Sequence, residues 1–215
     1  MEDTRSNRIF SGIAPVYGLF FDRQRRHYDA VLNDVHNALD LPAQASVLDV
    51  GCGTGALCSA LSERGFVVTG VDPVRRMLDI AARKLSEKPA EDPTGKPVTL
   101  VQASVLERLP FADKSFDLAI ASYVAHGMSA PEREVMYAEM SRVARRLVVF
   151  HDYNTNRALL TDFAERLEGG DYFAFIQIAR TEMERNFRTV RVVDVGPHAA
   201  WYVCEPADGS SLIPD

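Results

Sequence analysis

The sequence predicts an α/β domain with a doubly wound, mostly parallel sheet that carries helices on both faces. Three observations predict it. Short apolar runs alternate with longer amphipathic segments between residues 45 and 205, a glycine-rich turn follows the first run, and the last two runs are joined by a turn too short for a helix. Alternating strands and helices give parallel strands covered on both faces, whereas a short connection makes two strands antiparallel.

The first elements are a helix, a strand and a second helix. Apolar residues recur at helical spacing from Tyr28 to Leu39, and Pro42 ends that helix. The apolar run "SVLDV" (46–50) predicts a buried strand. A helix then opens after the glycines, and Gly65 ends it.

The next two strands flank a third helix. They are predicted in "FVVTGVD" (66–72) and "VTLVQA" (98–103), and a polar, proline-bearing loop precedes the second of them. The buried stripe predicted for the helix between them contains Leu78, Ala81, Ala82 and Leu85.

The remaining elements continue the alternation and then break it. "FDLAIAS" (116–122) and "RLVVFHD" (146–152) are the fourth and fifth predicted strands, with a helix marked by methionines between them. After a helix around residues 176–187, "VRVVDV" and "AAWYVCE" predict two strands separated by "GPH". The last strand is therefore expected to run against the others. The 215 residues fit a single domain, 1–215.

Composition narrows the class of partner. A net charge of -6 and a pI near 5.4 disfavour nucleic-acid binding, which needs a concentrated basic face. The three cysteines lack paired C-x-x-C spacing, and no histidine–carboxylate set has metal-ligand spacing, so no metal is expected. The N-terminus shows no signal peptide, and no apolar stretch is long enough to span a bilayer. We expect a soluble, cytoplasmic protein.

The glycine-rich turn "VLDVGCGTGAL" (47–57) follows a strand and opens a helix, which is a common setting for a ligand. A nucleoside triphosphate is excluded because no Lys-Ser/Thr follows the glycines. A nicotinamide dinucleotide is compatible with Asp72 after the second strand, but the spacing is G-x-G-x-G rather than G-x-G-x-x-G. Asp49, just before the first glycine, would disfavour a pyrophosphate and favour a ligand with cationic groups.

The sequence resembles the class I S-adenosylmethionine-dependent methyltransferases over roughly residues 45 to 205. "VLDVGCGTG" is similar to the first motif of that family, "VTGVDPVRRML" to the second, and "LPFADKSFDLAIAS" to the segment that leads into the fourth strand. The segment "IFSGIAPVYGLFFD" also resembles the N-terminus of quinone-biosynthesis methyltransferases. The resemblance implies a Rossmann-like, seven-stranded sheet over 45–205 and an N-terminal helical lid over 1–40.

The resemblance also implies site residues for S-adenosyl-L-methionine. Asp49, Gly51 and Gly53 would line the methionine moiety, and Asp72 would accept both ribose hydroxyls. The other implied cofactor-binding residues are Pro73 and Met77 against adenine, Ser104 and Val105 where many relatives have an aspartate, Ser122 and Tyr123 beside the sulfonium, and Tyr17 as part of the lid. For Tyr17 the alternative is packing against neighbouring helix residues.

Two histidines are candidate catalytic residues. Both lie at predicted strand ends, His126 after the fourth strand and His151 after the fifth, where the substrate of such a sheet should lie. An imidazole titrates near neutral pH and could accept a proton if the acceptor is a phenol, enol or carbon acid. The alternative for each is a structural hydrogen bond.

The sequence therefore predicts methyl transfer to a small, hydrophobic or aromatic molecule by in-line displacement. Two other functions stay open: an S-adenosylmethionine-binding protein without catalysis, and an NAD-dependent oxidoreductase. The acceptor and the oligomeric state do not follow from the sequence.

Overall fold

The computed structural model describes residues 12, 14, 18–87, 96–154 and 172–207. The chain forms two compact units, Met1–Pro110 and Phe111–Asp215. The single-domain organisation of residues 1–215, with a lid over 1–40, stays a prediction.

Over its described residues, the first unit contains three helices and three parallel strands. β1 pairs with β2, and β2 pairs with β3, both in parallel. The elements are α1 (Phe21–Leu39), β1 (Ser46–Val50), α2 (Ala56–Glu63), β2 (Val67–Asp72), α3 (Arg75–Ser86) and β3 (Thr99–Gln102).

The elements of the first unit begin and end where local chemistry requires it. α1 ends at Leu39 because Asp40 adopts a left-handed conformation with φ of 41°, two residues before Pro42. β1 is buried on both faces, as a strand between two helical layers must be. Gly65, with φ of 85°, follows α2 and turns the chain into β2, as predicted.

Within residues 111–154 and 172–207, the second unit contains four strands, two helices and a 3-10 turn. β5 pairs with β4 in parallel, whereas β7 lies antiparallel between β5 and β6. The elements are β4 (Phe116–Ser122), the 3-10 turn (Ala125–Gly127), α4 (Ala130–Val143), β5 (Ala144–Tyr153), α5 (Tyr172–Asn186), β6 (Thr189–Gly196) and β7 (Ala199–Glu205).

A capping interaction fixes the start of α4. The Glu132 carboxylate accepts the backbone N–H of Ser129 at 2.8 Å, as in a capping box. The helix predicted from its methionines is confirmed, and it buries Met136, Met140 and Val143 completely.

The strand order β3-β2-β1-β4-β5-β7-β6 forms a seven-stranded sheet. The pairs β1–β2, β2–β3 and β4–β5 are parallel, whereas β7 runs antiparallel to both of its neighbours. The predicted fold class is confirmed: a Rossmann-like α/β sheet with flanking helices and an antiparallel last strand.

Candidate functional site

The loop between β1 and α2 is built on three glycines in the left-handed region. Gly51, Gly53 and Gly55 have φ of 73°, 53° and 81°. Side-chain-bearing residues rarely adopt such angles, so this loop conformation favours glycine at each position. The N–H groups of Gly51 and Cys52 both donate to the Val71 carbonyl, at 2.8 and 3.0 Å, and tie the loop to β2.

The glycines of this loop differ in what surrounds them. A Cβ at Gly55 would lie 3.1 Å from the Cβ of Ala81, so Gly55 allows α2 to approach α3. A Cβ at Gly53 would meet no protein atom within 4 Å. The absence of a side chain at Gly53 is therefore not required by packing within the protein. The open space beside it allows a ligand to approach the backbone closely.

The Asp72 carboxylate lies at the end of β2 and binds the glycine loop. It is 7% exposed, and it accepts the N–H of Gly53 at 2.9 Å on Oδ2 and the N–H of Val74 at 2.8 Å on Oδ1. Burial raises the pKa of Asp72, and the two backbone donors oppose that shift. Each oxygen of a carboxylate has a second acceptor position. These acceptor positions therefore fit the two hydroxyl groups of a vicinal diol such as that of a ribose.

Asp49, within β1, is a second buried carboxylate of this unit. It is 1% exposed and accepts the Cys58 thiol at 3.1 Å. Burial raises the pKa of Asp49 to about 7, and the negative charge of Asp72 acts in the same direction. A cationic ligand group would stabilise this carboxylate in its charged form, so Asp49 fits the ammonium or sulfonium of S-adenosylmethionine.

Four further predicted cofactor residues lie in the same unit. Met77 is 3% exposed and packs in an apolar cluster with Val74 and Ile80, while Pro73 is half-buried. The Ser104 hydroxyl accepts the N–H of Leu106 at 3.3 Å in a local turn. The fourth residue, Val105, is buried. The predicted contacts of these residues with adenine stay predictions, as does the role of Tyr17, which lies outside the described residues.

In the second unit, Ser122 and Tyr123 stand at the end of β4. The Ser122 hydroxyl and Nδ1 of His151 are hydrogen-bonded at 3.1 Å. Tyr123 has φ of 55°, which is unusual for a tyrosine, and its N–H donates to the His151 carbonyl at 2.8 Å. Burial raises the pKa of the Tyr123 phenol to about 12, and the charge of Asp152 adds to this shift. Their predicted position beside a sulfonium stays a prediction.

His151 lies inside β5, two residues before its end, rather than after the strand. It is 1% exposed and is paired with Ser122 of β4 on one side and Trp201 of β7 on the other. Its ring centroid lies 6.2 Å from that of Trp201. The prediction that His151 follows the fifth strand was wrong, because β5 continues through the polar residues as far as Tyr153.

His126 lies in the 3-10 turn after β4 and binds Asp152. Nδ1 of His126 lies 2.8 Å from Oδ1 of Asp152, and both side chains are buried. The backbone N–H groups of Ala125 and His126 donate to Oδ2, at 3.1 and 3.3 Å. The N–H of Tyr153 donates to Oδ1 at 2.9 Å. The sequence placed Asp152 beside His151 and gave no signal for its pairing with His126.

The His126 ring belongs to a group of four neighbouring rings. Tyr153 lies 4.8 Å from His126 and 5.2 Å from Tyr123, measured between ring centroids. Tyr123 lies 4.8 Å from His151 and 6.4 Å from His126. The side chains of Tyr123, His126, His151 and Tyr153 form what we call the ring cluster, and it combines aromatic surfaces with a carboxylate-bound imidazole.

Metal-binding groups and membrane-spanning helices are two further features that bear on function. In the part of the chain that the structure describes, no three His, Cys, Asp or Glu side chains are grouped in a way that could hold a metal ion. No helix over the same residues has both the length and the apolar character needed to cross a membrane.

Comparison with known proteins identifies the fold family. Residues 47–146 match the family model described as a methyltransferase domain. The uncharacterized methyltransferase YcgJ of Bacillus subtilis is 30% identical over 128 residues, which is 58% of this chain and 47% of that protein. The chain thus spans about half the length of this curated relative.

Solved structures resemble the whole chain. An S-adenosyl-L-methionine-dependent methyltransferase from Methanococcus maripaludis has a TM-score of 0.72 at 16% identity, over 94% of this chain and 95% of that one. The magnesium protoporphyrin IX methyltransferase of Synechocystis PCC 6803, with bound SAH, has a TM-score of 0.60 at 19% identity, over 85% and 83% of the two chains. The strand order, the domain match over residues 47–146 and these similarities show that the chain has the fold of the class I S-adenosylmethionine-dependent methyltransferases, and they support S-adenosylmethionine as its cofactor.

Proposed function

We propose that this protein is an enzyme that transfers the methyl group of S-adenosylmethionine to a small molecule. The observation that carries the proposal is the joint geometry of Gly53 and Asp72. Gly53 presents open space above its Cα and donates its N–H to Asp72, whose carboxylate retains acceptor positions. Backbone that a ligand can approach closely and an acceptor for two hydroxyls are thus joined by one hydrogen bond between the glycine loop and the end of β2.

The residues of the first unit have distinct roles in this proposal. Asp72 accepts the ribose hydroxyls, and Asp49 stabilises positive charge on the methionine part. Gly51 and Gly53 allow close approach of the ligand. Pro73, Met77, Ser104 and Val105 are proposed to bind adenine, while Ser122, Tyr123 and Tyr17 complete the proposed cofactor-binding set.

Bound S-adenosylmethionine supplies a methyl group already activated by the sulfonium. The protein's task is then mainly to orient the acceptor, which in favourable cases removes about 7–11 kcal/mol from a barrier. A net charge of -6 supports a small-molecule acceptor over a nucleic acid. Three buried free cysteines, Cys52, Cys58 and Cys204, support a cytoplasmic location, where thiols stay reduced.

Calorimetric titration with S-adenosylmethionine tests the cofactor site. Asp72→Ala is expected to weaken binding by about 1.5–3 kcal/mol, the range for hydrogen bonds to a charged group. The matched control is Asp79→Ala, which removes a carboxylate that is 59% exposed on α3 and should leave the affinity unchanged. Equal affinities for wild type and Asp72→Ala would contradict the ribose assignment, and binding of NAD in place of S-adenosylmethionine would contradict the cofactor-site proposal.

Methyl transfer itself requires a second measurement. Cell extract incubated with the enzyme and isotopically labelled S-adenosylmethionine is expected to yield a labelled small molecule, detected by mass spectrometry. Asp72→Ala should abolish the label at cofactor concentrations that saturate only the wild type. Cofactor binding without any labelled product would favour a non-catalytic binding protein.

A further inference from the structure

We propose that His126, oriented by Asp152, accepts the proton of a hydroxyl group on a small aromatic acceptor that binds against the ring cluster. This inference rests on the proposed function and deepens it, since it names the acceptor class and separates the roles of the two histidines. His126 is the proposed catalytic residue, and Asp152 is a positioning residue.

The hydrogen bonds of Asp152 fix the state of the His126 ring. A carboxylate only accepts hydrogen bonds, so Nδ1 of His126 carries the hydrogen in the 2.8 Å contact with Oδ1. In a neutral imidazole the proton-accepting nitrogen is then Nε2. The carboxylate also stabilises the imidazolium that forms when Nε2 takes up a proton. This is the arrangement that a general base requires.

The backbone holds the carboxylate rigidly in place. Its oxygens accept three backbone N–H groups, from Ala125, His126 and Tyr153. Two of these donors belong to the same 3-10 turn that carries the His126 ring. The imidazole and its carboxylate are therefore fixed relative to each other without the entropy cost of ordering two flexible side chains during the reaction.

The surrounding titratable groups assign the base to His126. Tyr123 has its pKa raised to about 12, by burial first and then by Asp152, so its phenol stays protonated at neutral pH. Nδ1 of His151 is bonded to the Ser122 hydroxyl, a neutral group, instead of a carboxylate. Helix α5 packs against the 3-10 turn and contributes Glu182, whose carboxylate is bound by Arg133 and Tyr137.

The shape of the ring cluster favours a planar acceptor. Tyr123 and Tyr153 are half-buried, and their rings lie within 4.8–6.4 Å of the His126 ring, at interplanar angles of 71° and 73°. Aromatic groups pack well in such edge-to-face arrangements. In the step proposed, the acceptor O–H bond breaks, its proton moves to Nε2 of His126, and the electron pair stays on oxygen. With S-adenosylmethionine bound, this oxygen would form a bond to the methyl carbon while the carbon–sulfur bond breaks, and the electron pair of that bond would remain on sulfur in the neutral thioether.

A direct binding test uses 4-nitrophenol, because its phenolate absorbs visible light and its phenol form does not. At a pH where the free probe is mostly protonated, wild-type protein is expected to increase the phenolate absorbance on binding. His126→Gln should bind the probe without this increase, and Asp152→Asn should weaken it. His198→Gln, in the exposed β6–β7 turn, is the matched control and should behave as wild type. An equal increase in wild type and His126→Gln would overturn the inference, and so would an absent increase in wild type.

Transfer kinetics provide an independent readout. With 4-nitrophenol and unsubstituted phenol as acceptors, His126→Gln is expected to lower kcat/KM for phenol by about 10²-fold or more, the scale of general-base catalysis. The loss for 4-nitrophenol should be much smaller, because that acceptor ionises without help. Asp152→Asn should shift the pH profile of kcat/KM, which a merely structural role would not do. Equal losses for both phenols would contradict a base role for His126.

The two proposals fail in different ways. Calorimetry with S-adenosylmethionine is unaffected by His126→Gln if the cofactor site is intact. Cofactor binding combined with labelled products that are not aryl methyl ethers would overturn the acceptor class and leave methyl transfer standing. Absence of cofactor binding in the wild type would overturn the proposed function first.

Discussion

The backbone N–H of Gly53 donates to Oδ2 of Asp72 at 2.9 Å, which joins the glycine loop after β1 to the last residue of β2. This hydrogen bond couples two residues that are 19 positions apart, so a substitution at either one affects the position of the other. Asp72 orients the loop through one acceptor position, and its remaining positions are available for hydroxyl groups.

Gly53→Ala tests two separate effects: the backbone strain of a positive φ, which lowers stability, and the loss of open space, which lowers cofactor affinity. The substitution is expected to cost about 1–2 kcal/mol in stability, because alanine is disfavoured at φ of 53°. It should also weaken S-adenosylmethionine binding by about tenfold or more, since the new methyl group occupies space that no protein atom uses. Calorimetry and thermal unfolding measure the two effects.

Gly65→Ala is the matched control for this substitution. Gly65 also has a positive φ, of 85°, and a Cβ there would likewise meet no protein atom within 4 Å. It should lose similar stability and keep its cofactor affinity. If both variants lost affinity equally, the effect would come from strain and the proposed contact with Gly53 would be wrong.

The raised pKa of Asp49 leads us to expect that both stability and cofactor binding depend on pH. Its pKa is about 7 in the folded state against 3.8 ordinarily, so between these values the folded state holds more protons than the unfolded state. The free energy of unfolding should therefore fall as pH rises from about 4 to 7 and change no further through Asp49 above that range. Asp49→Asn should remove this part of the slope in urea titrations.

The same carboxylate should release a proton when a cationic ligand binds. S-adenosylmethionine affinity is expected to rise between pH 6 and 8, because the charged form of Asp49 then needs no deprotonation. Calorimetry in two buffers of different ionisation enthalpy measures the proton released. Proton release of the same size in Asp49→Asn would assign it to another group.

Gly70→Ala tests the packing beneath the glycine loop. A Cβ at Gly70 would lie 2.8 Å from the sulfur of Cys58 and 2.9 Å from that of Cys52. Overpacking of this kind typically costs about 1–3 kcal/mol. Adding Cys58→Ala should recover part of the loss, whereas Gly196→Ala, with open space at its Cβ, should cost much less. Chemical denaturation of the wild type, Gly70→Ala, Cys58→Ala and the double variant gives the coupling energy.

The Arg133–Glu182 pair predicts an asymmetric response to mutation. Arg133 is fully buried, and its Nε and Nη2 donate to the two oxygens of Glu182 at 2.7 and 2.8 Å. Arg133→Met alone should cost about 3–5 kcal/mol, because it leaves a buried charge without its partner. The double variant with Glu182→Leu should be more stable than either single one in thermal unfolding.

An exposed pair on the same helix serves as the comparison. Arg180 and Glu184 are 2.7 Å apart on α5, with 66% and 45% of their side chains exposed. Arg180→Met should cost only about 0.3–0.5 kcal/mol, the usual range for such pairs. A similar cost at Arg133 would show that burial does not govern the first pair.

The sequence predicted most of the fold because its strands are short, apolar and sharply bounded. β1 and β4 begin and end at the predicted residues. The insertion of β7 between β5 and β6 did not follow from the sequence, since a hairpin pattern does not say which of its strands pairs with a third. Ala82 was wrongly placed in the buried stripe of α3: it is exposed, and small residues tolerate either environment.

Local patterns also limit what could be predicted of the site. The glycine spacing and Asp72 follow a contiguous motif, and their hydrogen bond lies where a strand-end loop would put it. The partner of Asp152 could not be predicted in this way. Adjacent strand residues point to opposite faces, so Asp152 turns away from His151 and meets His126, 26 positions earlier.

The sequence contains one tryptophan, Trp201, and it is buried opposite His151 in the sheet. Its indole N–H has no hydrogen-bond partner among the described residues, which favours blue-shifted emission. Because Trp201 is the single indole of the chain, the intrinsic fluorescence of the unlabelled protein reports on the second unit from one known position. Since Trp201 lies beside His151, a change in this fluorescence would report ligand binding at the ring cluster without any added label.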